Sequence, residues 1–108
     1  MFLYNTTFAV DNAIENEVID WLNSEFIPSA VDEGYFYGID SKFAPMILRV
    51  LGGEPGVKSI AVHLYLDSIE TLKDWYADHG ARLFSHVMEQ WGEKAVFFST
   101  TLEVMYAG

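Results

Sequence analysis

The three histidines, His63, His79 and His86, are the only side chains in this 108-residue chain that ordinarily titrate near neutrality. With no cysteine in the chain, disulfides, thiolate nucleophiles, thiolate zinc sites and iron–sulfur ligation are all excluded. His79 and His86 stand seven residues apart, a rise of about 10.5 Å on a continuous helix. Two nitrogens bound to one zinc at about 2.1 Å each lie within about 4.2 Å of one another, so the pair is no chelate unless Gly80 bends the helix sharply, and neither a metal nor a cofactor is expected. His79 falls on an apolar helical stripe beside Gly80 and reads as a core histidine hydrogen-bonded to backbone at a bend, a ligand role being the alternative. The remaining candidates, Asn5, His63, Tyr65 and Glu103, lie on β-rich runs. A carboxylate and an imidazole in an apolar cavity have the pKa leverage to abstract a proton from an acidic carbon. The alternative is that Asn5, Thr7, Ser99 and Thr101 hydrogen-bond one another while Arg49 and Glu103 make dimer contacts.

The elements that must position these residues follow from periodicity. Phe2, Tyr4, Phe8 and Val10 alternate along a first strand, Met1 to Val10. Asp11 or Asn12 caps a helix on which Ile14, Val18, Trp21 and Leu22 share one stripe. Pro28 kinks or ends it near Phe26 and Ile27, with a further turn through Ala30 and Val31, and Gly34 stops it. Tyr35 to Ser41 reads as an irregular connection. Lys42 to Leu51 and Lys58 to Leu66 flank a Gly- and Pro-rich loop, the pattern of a hairpin. Asp67 or Ser68 caps a second helix whose stripe holds Leu72, Trp75, Tyr76, His79, Leu83, Val87 and Trp91, bent at Gly80 and ended by Gly92. The three tryptophans lie at helical spacing and read as packing residues. Ala95 to Tyr106 is the fourth strand.

The order βαββαβ predicts an α+β, ferredoxin-like sandwich: one domain over residues 1–108, with a four-stranded antiparallel sheet of order 4-1-3-2 and both helices on one face. The bulkier parity of each strand is expected to face the helices: Phe2, Tyr4, Phe8 and Val10; Ile60, Val62, Leu64 and Leu66; Val96, Phe98, Leu102 and Val104. The open face then carries Leu3, Asn5, Thr7, Ala61, His63, Tyr65, Phe97, Ser99, Thr101, Glu103 and Met105. A hairpin centred on Gly53 and Glu54 sets Arg49 opposite Ala61 and adds Ile47 and Leu51. Such a face is too apolar to stay wet in a monomer. A homodimer is therefore expected through Leu3, Ile47, Arg49, Phe97 and Met105, with Asn5, His63, Tyr65 and Glu103 lining a semi-buried pocket for a small-molecule ligand. Arg49 and Glu103 lie about 14 Å apart across the sheet and can meet only across a twofold.

A net charge of −10 repels phosphate, so neither nucleic acid nor an anionic membrane is an expected partner. The longest stretch without charge, Met1 to Val10, is too short to span a bilayer. The first Lys or Arg is Lys42, which leaves no basic region ahead of the opening apolar run, and the expectation is a cytoplasmic protein.

The segments YNTTF (Tyr4 to Phe8), Trp21-Leu22 followed by Ile27-Pro28, HGARL (His79 to Leu83) and FSTTLEV (Phe98 to Val104) together resemble a bacterial family of unknown function whose members run about this length. That family is similar in fold to the dimeric α+β barrels, the superfamily that includes antibiotic biosynthesis monooxygenases. The resemblance implies two ferredoxin-like sheets packed face to face, and a pocket in which proton abstraction is the step cofactor-free oxygenases require. Relatives tend to carry His before Ile-Pro, where this chain has Phe26, and Ala-Pro after the second-helix histidine, where it has Gly80-Ala81. No role that leans on the first histidine transfers. Two functions remain: a small-molecule enzyme or sensor, and a non-enzymatic structural or interaction module with a packed barrel interior.

Overall fold

The computed structural model describes residues 1–105. Its elements are β1 (Phe2–Asp11), α1 (Glu15–Trp21), α2 (Ile27–Val31), β2 (Met46–Val50), β3 (Val57–Leu66), α3 (Ile69–Trp75), α4 (Ala81–Trp91) and β4 (Ala95–Glu103). The sheet is antiparallel in the order β2-β3-β1-β4, the expected ferredoxin-like topology.

Each helical arm is two α-helices fused through one π-helical turn, Leu22–Phe26 in the first and Tyr76–Gly80 in the second. The first turn has a local cause. Pro28 has no amide hydrogen and Ile27 N–H donates to Leu22 C=O, which leaves the Asn23 carbonyl without a helical donor. The two arms are tied where Trp75 Nε1–H donates to Ser29 Oγ (3.2 Å) and Ser29 Oγ–H donates to Phe26 C=O (2.6 Å). Gly80 is needed at the second turn for space, since a Cβ there would lie 2.9 Å from ring carbons of both Trp75 and Tyr76. Asp11 and Ser68 cap the two arms, accepting from the amides of Ala13 and Thr71. Trp75 and Trp91 are buried and Trp21 half-buried, as packing residues should be.

The covered face follows the expected parity on the two central strands. Tyr4, Thr6, Phe8 and Val10 of β1 and Ile60, Val62, Leu64 and Leu66 of β3 are all buried. Both outer strands reverse it. On β4, Ala95 and Phe97 face the helices, Phe97 packing on Phe8 (5.9 Å between centroids) and Phe84 (4.8 Å), while Val96, Phe98 and Leu102 stand exposed on the open face. Ser99, Thr101 and Glu103 share the helix side but remain exposed, because the helices cover only the start of β4. The heavier parity is therefore the outer one. On β2, Arg49 pairs with Ile60 rather than Ala61, and that one-residue slip turns Ile47 and Arg49 to the helix side. β2 also begins at Met46, later than expected, because Pro45 cannot donate to the ladder. Leu51 lies outside the strand, β4 ends at Glu103, and Tyr106, expected as its last residue, lies outside the described residues.

Candidate functional site

On the open face the strand registers align side chains into rows. Tyr65, Leu3 and Leu102 form one row; Met46, His63, Asn5 and Thr100 the next; then Leu48, Ala61, Thr7 and Phe98; then Val50, Ser59, Ala9 and Val96. The second row is polar inside an apolar surround. Across these four rows the face holds no Asp, Glu, Lys or Arg, although the chain carries −10 overall.

Asn5 holds the one atom without a hydrogen-bond partner among the buried side-chain polar atoms of the described residues. Its Nδ2 donates to Thr7 Oγ1 at 3.2 Å, while Oδ1 is buried with no partner. A buried acceptor left alone carries a desolvation penalty of about 1–3 kcal/mol. His63 and Tyr65 lie beside it as expected. Tyr65 is backed by Phe43 (5.6 Å), itself against Tyr37, whose amide donates to the Tyr65 carbonyl at 2.9 Å. What this set offers a ligand is an amide, an imidazole, hydroxyls and a phenol: hydrogen bonding with a single titratable base, His63.

The remaining expected site residues lie elsewhere. Glu103 pairs with Phe2 on the helix side, so it does not join Asn5, His63 and Tyr65, and the carboxylate–imidazole pocket is not assembled. Phe97 belongs to the core, and Ile47 and Arg49 face the helices, which leaves Leu3 as the expected interface residue that lies on the open face. Met105 lies beyond the end of β4 and is 84% exposed. Arg49 Nε binds Glu15 Oε2 at 3.0 Å within the chain, so a pairing with Glu103 across a twofold has lost its cation.

That ion pair borders a cleft of about 530 Å³ between α1, α2 and β2, lined by Ile19, Asn23, Ile27, Ile39, Pro45 and Ile47. The sequence signals for it are Pro28, which opens the π-helical turn at Asn23, and Pro45, which shortens β2. His79 is held by side chains and not by backbone: Nε2 contacts Glu33, and Arg82 Nη2 donates to Nδ1 at 3.3 Å. Beside it Tyr35 donates to Asp78, and that bond is the main cause of a phenol pKa pushed up to about 12. The Tyr37 phenol is raised in the same way by donating to Asp67.

With this geometry in place, the likeness to known proteins has structural meaning. The sequence profile described as Domain of unknown function (DUF4286) matches residues 1–105. The chain belongs to the DUF4286 family. No curated protein matches it. Among solved structures, PelD 156-455 from Pseudomonas aeruginosa PA14 in its apo form is similar with 19% identity and a TM-score of 0.51 over 95% of this chain. PelD 158-CT from Pseudomonas aeruginosa PAO1 is similar with 18% identity and a TM-score of 0.50 over 99%. The chain spans about a third of each of those structures (32% and 33%), and the likeness is one of fold. Among the described residues no helix is long and apolar enough to cross a membrane.

Proposed function

We propose that this DUF4286 protein acts as a homodimer whose two open sheet faces pack together, as in the dimeric α+β barrels, and that the row His63, Asn5 and Thr100, with Thr7 and Tyr65 beside it, holds a small polar molecule between them. The observation that carries the reading is the composition of the face: Leu3, Met46, Leu48, Val50, Val96, Phe98 and Leu102 around a polar row, with no charge. An uncharged surface lets two copies of a −10 chain approach without setting like charges against one another. Three strands of nine or ten residues and one of five make a face of about 500 Å² and bury about 1,000 Å² between two copies, the lower bound for a stable specific interface. An amide both donates and accepts, so Asn5, once its side chain turns Oδ1 out of the cover it has within the chain, can pair with its twofold mate or with a ligand on the axis.

The role is binding rather than acid–base catalysis, since Glu103, the carboxylate expected beside His63, lies on the other side and no Asp or Glu stands in the rows around His63. The non-enzymatic module with a packed interior is the competing outcome. Sedimentation at micromolar concentration is expected to show a dimer that the double variant Met46→Glu/Val50→Glu converts to monomer with unchanged circular dichroism. A thermal-shift screen of polar metabolites is expected to give hits that Asn5→Leu removes while the dimer remains. A monomeric wild type overturns the whole reading, and a dimer without hits reduces it to the module.

A further inference from the structure

The two free edges of the sheet are built differently. At β2 the edge is five residues long, follows Pro45, carries Arg49 held by Glu15 and runs out into Leu51-Gly52-Gly53. These are the devices that keep an edge from pairing. At β4 the edge is nine residues long, and Val96 to Leu102, VFFSTTL, contains no charge, glycine or proline. That composition favours strand addition.

The direction of the exposed groups follows from one bond. Val104 N–H donates to Met1 C=O at 3.0 Å, and β4 pairs with β1 in unbroken register from Glu103 to Ala95. In an antiparallel ladder bonded pairs alternate, so Val96, Phe98, Thr100 and Leu102 bond inward to β1. The amides and carbonyls of Ala95, Phe97, Ser99, Thr101 and Glu103 then point away from the sheet, where no described element pairs with them.

We infer that the β4 edge is a second self-association surface, which takes the β4 edge of another copy in antiparallel pairing centred on Ser99. All five outward-pointing residues are engaged only in that register. It sets Phe97 beside Thr101 and Ala95 beside Glu103, an aromatic against a β-branched residue with no like charges opposed. A basic peptide is the poorer occupant, because the edge offers it one carboxylate, Glu103, at its end. The pairing is independent of the face contact, leaves the open face uncovered and joins two sheets into one of eight strands.

Amide exchange of the assembled wild-type protein, followed by NMR over a concentration series, tests this. The amides of Phe97, Ser99, Thr101 and Glu103 are expected to slow by roughly tenfold or more as the concentration rises from micromolar toward the roughly millimolar range of NMR, where the weaker edge contact forms, and to do so equally in Met46→Glu/Val50→Glu, which disrupts only the face and is monomeric at micromolar concentration. Thr101→Pro removes an outward amide that β1 does not use, so the fold is expected to persist while the edge contact and the concentration dependence are lost. Should that variant fail to fold, Thr101→Lys places a charge at the same exposed position and is expected to give the same loss. Exchange at these four amides that stays fast at every concentration overturns the inference. So does association unaffected by Thr101→Pro or Thr101→Lys. Association lost in the face variant and kept in the Thr101 variants leaves the proposed barrel standing and removes the edge contact.

Discussion

The two faces of this sheet are built from alternate residues of the same strands, yet they hold their polar groups under opposite conditions. On the covered face the buried polar residue, Thr6, shares a 2.8 Å hydrogen bond with Ser99, to which Tyr4 also donates at 3.0 Å. On the open face Asn5 is left with an acceptor unmatched and sits among exposed Phe98, Leu102 and Val96. A face complete within one chain satisfies its polar atoms there, as Thr6 shows, and Asn5 Oδ1 on the open face departs from that rule. The covered side gathers on Trp75, fully buried, edge-on to Tyr4, Phe26 and Phe36 and hydrogen-bonded to Ser29. Trp75→Ala therefore removes the largest buried ring and one of the two hydrogen bonds of Ser29 Oγ. A loss of about 3–5 kcal/mol is expected in urea unfolding, and a loss below about 1 kcal/mol would mean that the covered face is not where the stability resides.

Phe97 and Phe98 make the contrast sharper, being the same residue type at adjacent positions. Phe97→Ala empties a site between Phe8 and Phe84 and is expected to cost about 2–3 kcal/mol, less than full burial because the ring is only half-buried. Phe98 is 60% exposed, and Phe98→Ala is expected to change monomer stability by no more than about 0.5 kcal/mol while weakening association. Reversed magnitudes would restore the parity that the apolar content of β4 suggests.

Why that parity misleads shows what a sequence can carry. β1 and β3 are central, are covered along nearly their whole length and alternate cleanly, so Phe8, Val10, Ile60 and Val62 announce their face. β4 is apolar on both parities because the helices shield only its first residues and the other side is also apolar. The side facing the helices thus ends in Ser99, Thr101 and Glu103, which look like open-face residues. On β2 the face hangs on one residue of register, and the loop Leu51 to Gly56 fits more than one. The candidate site inherits the same division. Asn5, His63 and Tyr65, on central strands, were legible, whereas Glu103, Phe97, Ile47 and Arg49, on outer strands, were not. The arms behave likewise: Pro28 and Gly80 mark the irregular positions, but that each irregularity is a π-helical turn depends on how Ser29 and Trp75 pack.

Gly80 tests that packing with a smaller effect. Elsewhere in a helix Gly→Ala stabilises by about 1 kcal/mol, but here the new methyl would meet Trp75, which is fixed, and Tyr76, which is exposed and can move. Gly80→Ala is expected to destabilise by about 1–2 kcal/mol after that gain is offset, read as a fall in the urea midpoint at constant m-value. A stabilised variant would show that the second arm can return to a regular α-helix without disturbing the core.

The smallest expected effect lies at the rim of the covered side, where Tyr35 donates to Asp78 beside His79 and Glu33. With the carboxylate as acceptor, the phenol must keep its proton, which pushes its pKa from 10.0 up to about 12 in the folded chain. The unfolded chain releases that proton near pH 10, so between pH 10 and about 12 the native state binds more protons than the unfolded state and stability falls as pH rises. Below pH 10 the contribution is fully present. Tyr35→Phe removes the linked proton along with the bond. Its thermal midpoint is expected to sit slightly below that of the wild type up to pH 10 and to converge on it toward pH 12, because the wild type alone loses this contact over that range. Parallel curves across the window would show that Asp78 does not hold the phenolic proton, and that the loop from Glu33 to Tyr37 is fastened to the second arm by the contact of Glu33 with His79 and the packing of Phe36 on Trp75.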